Sequence, residues 1–244
     1  MNGANVVTLT TDFGLRDWFV GSMRGVILSL YPKAQVVDIT HEIAAGDVRA
    51  AAFALAVSYR CFPTGTVHVA VVDPGVGSDR PAVVVKTDAG FFVGPDNGVL
   101  SWALREETVH EVRRIENTAW MRQPVSRTFH GRDVFAPVAA RLAMGMRWQQ
   151  VGPVVAGFER LAWPEKSQVL YVDRFGNAIT NIRTKPRCVT VGGRSVRVVD
   201  FYQQGARDEP VALMGSSGFL EIAINGGNAA AVLGLRVGTP VEVD

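Results

Sequence analysis

Two aspartates of the 244-residue sequence come directly after apolar runs that predict buried strands. Asp12 follows residues 6–10, and Asp73 follows residues 67–72. In an open parallel sheet, ligands bind beyond the carboxyl ends of the strands. A single aspartate at a strand end is as often a helix cap or a turn residue, but two of them at one edge of a sheet indicate a ligand site.

An arginine and a histidine could join this site. Arg80 comes shortly after Asp73, close enough along the chain to fold back onto it. His130 stands in Thr-Phe-His-Gly-Arg-Asp at residues 128–133, before a predicted helix. Asp, Arg and His side chains together can hold a water molecule and make it more nucleophilic. An Arg–Asp pair alone, or a histidine alone in a loop, is more often structural.

The segment Pro-Gly-Val-Gly at residues 74–77 is rich in glycine. No Lys-Ser or Lys-Thr pair follows it, so it does not match a phosphate-binding loop, and it does not match the dinucleotide fingerprint either. Glycine allows the backbone to come close to a neighbour. We therefore expect this loop to approach a ligand.

Strands and helices alternate over the first part of the chain, and they must position these residues. Helical spacing of apolar residues predicts helices at 18–30, 48–59 and 133–144, with Asp47 and Asp133 as the N-caps of the second and third. Such alternation is typical of an α/β domain with a mostly parallel sheet flanked by helices, here residues 1–156. The predicted strands are residues 6–10, 35–39, 67–72, 82–86, 91–93 and 109–112.

After a linker at residues 157–164, the pattern changes to short strands separated by glycine and polar turns. We expect residues 165–244 to form a smaller, β-barrel-like domain. Its polar segments at 173–177, 216–218 and 225–228 are typical of plain turns. They also offer the hydrogen-bonding groups that can recognise a purine edge.

Composition excludes several classes of protein. The formal net charge is +2 and the Lys and Arg residues form no runs, so no nucleic-acid partner is expected. No apolar run approaches the ~20 residues of a membrane span, so no membrane association is expected, and the first residues lack a signal-peptide pattern, which predicts a cytoplasmic protein. Cys61 and Cys188 lie far apart in apolar surroundings, where we expect buried thiols rather than a disulfide or a metal site.

Six segments, taken in order, resemble the SAM hydroxide adenosyltransferases, which are relatives of the fluorinase and chlorinase that attack S-adenosylmethionine (SAM) with halide. The segments are TTDFG, VVDPGVGSDR, GPDNG, TFHGRD, VDRFGNAITNI and SSGFLEIAINGGNAA. The resemblance implies hydrolysis of SAM to adenosine and methionine, and it implies the two-domain architecture described above. It also implies a homotrimer in which each site lies between the first domain of one subunit and the second domain of a neighbour.

The resemblance assigns roles to five residues of the first domain. Asp12 matches the acid that grips the two ribose hydroxyls, since a carboxylate can accept two hydrogen bonds at once. Phe129 falls beside the ribose and the reacting carbon. Asp73, Arg80 and His130 match the set that marks the water-using branch of the family.

In the second domain, the resemblance assigns residues to the two ends of the substrate. Asp173 and Asn177 would bind the amino and carboxylate ends of methionine, and Ser217 would add a further contact. Phe201 would stack on the adenine ring. The edge of the adenine would be recognised by Ser216, Asn225 and Gly226. The spacing from Asp173 to Asn177 is one residue shorter than in the fluorinase but agrees with the hydrolase pattern.

The nature of residue 73 separates the alternatives. Halogenases have a tyrosine there, and an anionic carboxylate would repel a halide, so Asp73 favours water as the nucleophile over chloride. Gly131 stands where the fluorinase has a serine. Methionine leaves SAM as a neutral thioether, so the reaction needs no cofactor, metal or general acid, only an in-line water at the ribose 5′ carbon. A SAM-dependent halogenase and a SAM-binding sensor with little turnover remain as alternatives, and which group takes the proton is left open.

Overall fold

The computed structural model describes residues 5–244 and divides them into two compact units, with the boundary between Leu161 and Ala162. This boundary falls within the segment expected to be a linker. The first four residues lie outside the described range, and the prediction that the start of the chain lacks a signal peptide concerns them in part. The expected α/β architecture with a smaller β domain is confirmed, with the differences given below.

A seven-stranded sheet forms the centre of the first unit, in the order β2-β1-β3-β5-β4-β6-β7. Its pairings from β2 to β5 are parallel, and those from β5 to β7 are antiparallel. The sheet is therefore mixed, and its parallel half carries the strand ends of interest. The strands are β1 Val6–Thr11, β2 Gln35–Thr40, β3 Thr66–Val71, β4 Ala82–Thr87, β5 Gly90–Pro95, β6 Val109–Arg114 and β7 Val154–Val155.

Helices cover both faces of this sheet. Helices α1 (Phe19–Leu30) and α3 (Ala136–Ala143) pack on one face, and α2 (Val48–Ser58) packs on the other. Strands β1 and β3 are buried at every position because both of their faces are covered. The predicted cap of α2 is confirmed, since the Asp47 side chain accepts a hydrogen bond from the backbone N–H of Ala50 at 2.9 Å.

The third helix begins differently from the prediction. A π-helical turn, Gly131–Phe135, precedes α3, and Asp133 lies inside that turn. The prediction that Asp133 caps the helix was wrong. Its side chain is fully buried and accepts hydrogen bonds from the backbone of Ser126 and from Arg122 and Arg132 instead, because two guanidinium groups neutralise its buried charge as a helix end could not.

The second unit is a curled seven-stranded sheet in the order β14-β10-β11-β12-β13-β9-β8, with one short helix, α4 Ala229–Leu233. Gln168, just before β8, bridges to Pro240, just before β14, so the two edges of the sheet meet. Leu220 and Ile222 lie at the centre of its apolar core. The strands are β8 Val169–Val172, β9 Ala178–Thr180, β10 Val189–Val191, β11 Arg194–Val198, β12 Pro210–Met214, β13 Leu220–Ile224 and β14 Val241–Val243.

Two further features bear on the sequence-based expectations. Within residues 5–244, no helix is long and apolar enough to cross a membrane. Both thiols, Cys61 and Cys188, are exposed and unpaired, so the expectation that they are buried was wrong. Cys61 lies in a short 3₁₀ turn after α2 and Cys188 precedes β10, and at these element ends the chain emerges from the core.

Candidate active site

The strand-end aspartates of the first unit lie on adjacent parallel strands. Thr11 and Val71, the last residues of β1 and β3, are paired in register, so Asp12 and Asp73 leave the sheet at the same edge. Both line a pocket of about 350 Å³, together with Phe129 and His130. The structure thus brings together four of the five predicted residues of this domain in one wall.

Arg80, the fifth, lies behind this wall and connects two members of it. Its Nε donates to Asp73 Oδ1 at 2.8 Å, and its Nη2 contacts Asp73 Oδ2 and lies 2.8 Å from His130 Nδ1. The Asp73 side chain is 5% exposed and that of Arg80 is 11% exposed. Arg80, Asp73 and His130 therefore form one nearly buried cluster, with the guanidinium at its centre.

The arginine also determines the proton on His130. A guanidinium is a donor only, so Nδ1 of His130 must accept from Arg80, and the proton of the neutral ring is on Nε2. Burial lowers the pKa of His130, and the positive charge of Arg80 lowers it further, against the opposing charges of Asp73 and Asp133. The cluster thus combines a donor, Nε2–H, with an anionic acceptor, Asp73. Such a pair can orient a water molecule and take its proton.

The glycine-rich loop holds the two halves of the cluster together. Gly77 has a φ of +79°, and a Cβ there would lie 2.2 Å from the backbone oxygen of Arg127. The loop that starts at Asp73 therefore packs directly on the segment that leads to His130. We expected the glycines to let backbone approach a ligand, but at Gly77 the close neighbour is this second loop.

Asn97, in the Asp-Asn-Gly turn, supports the end of β3. Its side-chain Nδ2 donates to the carbonyl of Val72 at 2.9 Å, directly before Asp73. Its Oδ1 accepts from the backbone N–H of Val99. The turn pattern alone did not indicate this support, which depends on a contact between distant parts of the chain.

Asp12 faces the same pocket with part of its hydrogen-bonding capacity still available. One oxygen, Oδ2, accepts from the backbone N–H of Gly46 at 2.8 Å. A carboxylate has room for about four hydrogen bonds, so Asp12 can still grip a vicinal diol.

Three phenylalanine rings form the apolar part of the pocket wall. The ring centroids of Phe13 and Phe19 lie 5.7 and 5.1 Å from that of Phe129. These edge-to-face contacts hold the three rings as one apolar cluster in the pocket wall, a surface that suits the apolar parts of a ligand. Sequence reasoning found only Phe129, although Phe13 stands directly after Asp12.

The second unit has a pocket of its own, of about 630 Å³. Five of the predicted residues of this domain line it, namely Asp173, Asn177, Ser216, Asn225 and Gly226. The other two, Phe201 and Ser217, are not part of its wall. Phe201 is 52% exposed, and the hydroxyl of Ser217 is buried without a hydrogen-bond partner.

The carboxylate of Asp173 is occupied mainly by its own turn. Oδ1 accepts from the backbone N–H groups of Phe175 and Asn177, each at 2.9 Å, and Oδ2 accepts from Asn177 Nδ2 at 3.0 Å. The turn is thereby rigid, and its Gly176 has a φ of +83°. The side chain of Asp173 lines the pocket and at the same time holds the turn in shape.

Sequence reasoning missed a buried carboxylate in this pocket. Burial raises the pKa of Glu221, and the nearby charge of Asp173 acts in the same direction against the hydrogen bond from Tyr202. The Tyr202 hydroxyl donates to Glu221 Oε2 at 2.9 Å, and burial with this contact raises the pKa of Tyr202 to about 12. No signal in the sequence linked these two residues, because they lie on separate elements.

Over the same described range, no three His, Cys, Asp or Glu side chains come together in a way that could hold a metal ion.

Comparison with known proteins gives a consistent result over nearly the whole chain. The family model of the SAM hydroxide adenosyltransferase N-terminal domain matches residues 7–152, and that of the C-terminal domain matches residues 167–242. A solved structure of an uncharacterized conserved protein from Thermotoga maritima superposes with a TM-score of 0.93 at 37% identity, covering 98% of this chain and 100% of that one.

Named relatives fall in two groups. The (R)-S-adenosyl-L-methionine hydrolase of Thermus thermophilus is 42% identical over 97% of this chain and 98% of its own length. The enzyme of the same name from Salinispora arenicola is 39% identical over 97% of each chain. A fluorinase of Nocardia brasiliensis is 26% identical over 98% of this chain and 96% of its own.

The chain is a two-domain α/β protein, in which a mixed sheet with a polar cluster at its strand ends is followed by a curled β unit. Within that class, the chain belongs to the SAM hydroxide adenosyltransferase family.

Proposed function

We propose that this chain hydrolyses SAM to adenosine and L-methionine by in-line attack of water at the ribose 5′ carbon. The observation that carries the proposal is the Asp73–Arg80–His130 cluster, in which Asp73 and His130 line the pocket that also contains Asp12 and Arg80 joins them from behind. The names of the relatives at about 40% identity support the same reaction.

The cluster supplies what this reaction needs. Nε2–H of His130 donates to the water oxygen and orients it, Asp73 accepts a proton from the water, and Arg80 fixes both groups. The water oxygen bonds to the 5′ carbon as the bond from that carbon to sulfur breaks, and the electron pair stays on sulfur. The sulfonium becomes a neutral thioether, so our proposal includes no general acid, metal or cofactor.

The configuration at sulfur is part of the proposal. The hydrolase relatives carry the (R) descriptor in their names, and we propose that this chain also prefers the (R) sulfonium. Attack in line with the departing sulfur places the methionine chain on the side opposite the water. There the direction of the methyl group, the third substituent of sulfur, decides whether the substrate fits the site.

The proposed reaction is tested by incubating the purified chain with each sulfur epimer of SAM in halide-free, oxygen-18-labelled water. We expect equal amounts of adenosine and methionine, faster from the (R) epimer, with the label in the 5′ hydroxyl of adenosine. Unlabelled adenosine would exclude attack by water. Tight SAM binding without product would favour a sensor, and a 5′-chloro nucleoside formed with added chloride would favour the halogenase alternative.

The proposal also includes a cytoplasmic homotrimer in which each site is completed by a neighbouring subunit. Large exposed apolar side chains close in sequence to pocket residues support an assembly, since clustered apolar groups on a surface mark interaction sites. Leu15 and Trp18 follow Asp12 and are 65% and 69% exposed, and Phe175 in the second pocket is 70% exposed. Light scattering in solution should give three times the 26.4 kDa of one chain, and a stable monomer with full activity would refute the shared site.

A further inference from the structure

Asp133 is a buried carboxylate that the proposed reaction does not use. It has no exposed surface and does not line the pocket. A buried charge costs several kcal/mol unless it is paired and hydrogen-bonded, so a fold keeps one where its contacts are needed. The contacts of Asp133 indicate what that need is.

All the partners of the Asp133 side chain lie on the segment that carries His130. Oδ1 accepts from Arg132 Nε at 2.8 Å and from Arg122 Nη1 at 3.2 Å. Oδ2 accepts from Arg132 Nη2 and from the backbone N–H of Ser126, both at 2.9 Å. The carboxylate thus closes the segment from residue 122 to residue 133 into one loop.

The backbone of Asp133 ties the same loop at two further points. Its carbonyl accepts from the N–H of Arg122 at 2.8 Å, and its N–H donates to the carbonyl of Phe129 at 3.2 Å. Asp133 itself lies in the π-helical turn that begins at Gly131, whose carbonyl accepts from the N–H of Ala136. Such wide turns are common at functional sites because they re-aim nearby side chains.

The loop acts on the pocket through Phe129 and His130, which both line it. The guanidinium of Arg132, held by Asp133, lies 5.1 Å from the ring centre of Phe129, and this ring is in the pocket wall. His130 is the next residue, and its Nδ1 must stay within hydrogen-bonding distance of Arg80 Nη2, now 2.8 Å away. A shift of the loop by about 1 Å would break that contact.

From these contacts we infer that Asp133 is a positioning residue, which holds His130 against Arg80 so that its Nε2–H points at the attacking water. The catalytic part of this inference rests on the proposed hydrolysis, while the structural part does not. Asp133 contacts neither the pocket nor the reacting atoms, so it acts through His130.

The test is Asp133→Asn, which keeps the size of the side chain and removes its charge. The arginines that lose their partner are 49% and 30% exposed, so water can solvate them and the fold should survive. We expect kcat for adenosine release to fall by about 10- to 100-fold while KM for SAM changes little. If this variant does not fold, Arg132→Gln removes two of the four contacts and should give the same result more weakly.

A double-mutant cycle separates positioning from general support. In the background of His130→Ala, Asp133→Asn should lower kcat by no more than about twofold, because the residue it positions is gone. Additive effects would overturn the inference. Glu107→Gln is the matched control, since Glu107 is a nearly buried carboxylate paired with Tyr59 and Arg60 outside the pocket, and its loss should leave kcat unchanged.

Nitrogen NMR of the His130 ring gives a readout that does not depend on turnover. We expect the Nε2–H tautomer in the unaltered chain and in Glu107→Gln, and a mixture of tautomers in Asp133→Asn. An unchanged ring spectrum in Asp133→Asn would overturn the inference whatever the activity. If the unaltered chain releases no adenosine but the His130 spectrum changes in Asp133→Asn, the proposed function is refuted and the positioning role stays in place.

Discussion

Asp73→Asn is expected to lower the rate of adenosine release by about a thousandfold, within the range that a positioned acid or base contributes. The asparagine still fits beside Arg80 but is a poor proton acceptor, and the negative charge next to the attacking water is lost. Because Asp73 is proposed to contact the attacking water rather than the bulk of the substrate, the dissociation constant for SAM should change by only a few-fold. Single-turnover rates and calorimetric binding measure the two quantities separately.

Two further substitutions make this result specific. Asp88→Asn removes a 72% exposed carboxylate that pairs with His110, outside the pocket, and should leave the rate unchanged. Asp12→Asn should mainly raise KM, because Asp12 is expected to hold the ribose rather than the water. A fast Asp73→Asn enzyme would mean that alignment of the water suffices without a proton acceptor at this position.

The second large effect is a loss of stability in acid. Burial lowers the pKa of His41 and of His68 from 6.5 to about 4, with the charge of Arg24 acting in the same direction on His41. Below about pH 6.5 the unfolded chain binds protons at both residues, whereas the folded chain does not. The contribution of these two histidines to the free energy of unfolding is therefore constant above pH 7. Between pH 7 and pH 4 it falls by about 3 kcal/mol per histidine.

Urea unfolding at a series of pH values measures this loss. His68 lies in the core, where Thr8 Oγ1 is 2.9 Å from its Nδ1, so His68→Gln keeps a polar partner for that threonine and removes the titration. The variant should be less stable than the unaltered chain at pH 7, and the difference should shrink towards pH 4. Two curves that stay parallel over this range would show that His68 is protonated in the folded chain as easily as in the unfolded one.

The positions of Asp12 and Asp73 could be predicted because they depend on local patterns. Each follows an apolar run long enough to be a strand covered on both faces, and parallel strands end at a common edge. The sequence also contains a signal that part of the predicted, mostly parallel sheet is antiparallel. Only two residues separate Thr87 from Gly90, which is too short for a crossover, so β4 and β5 must be antiparallel.

Other parts of the site depend on contacts between distant segments, which no periodicity encodes. The sequence indicated that Arg80 could fold back onto Asp73, whereas its grouping with His130 came from the resemblance and not from any local pattern. An aspartate before an apolar stretch is typical of a helix cap, so Asp133 was misassigned until its arginine partners were known. The pair formed by Glu221 and Tyr202 was missed for the same reason.

The backbone contact between Gly77 and Arg127 has a consequence for any change of the nucleophile at this site. The two loops that carry Asp73 and His130 share this contact, and Arg80 joins their side chains, so a change in one loop is felt by the other. Exchanging Asp73 alone for the tyrosine of the halogenases would leave a nearly buried guanidinium without its counter-ion. Converting this site to use a halide should therefore require grafting residues 73–80 and 127–133 together, and exchange of residue 73 alone should give an unstable or inactive chain.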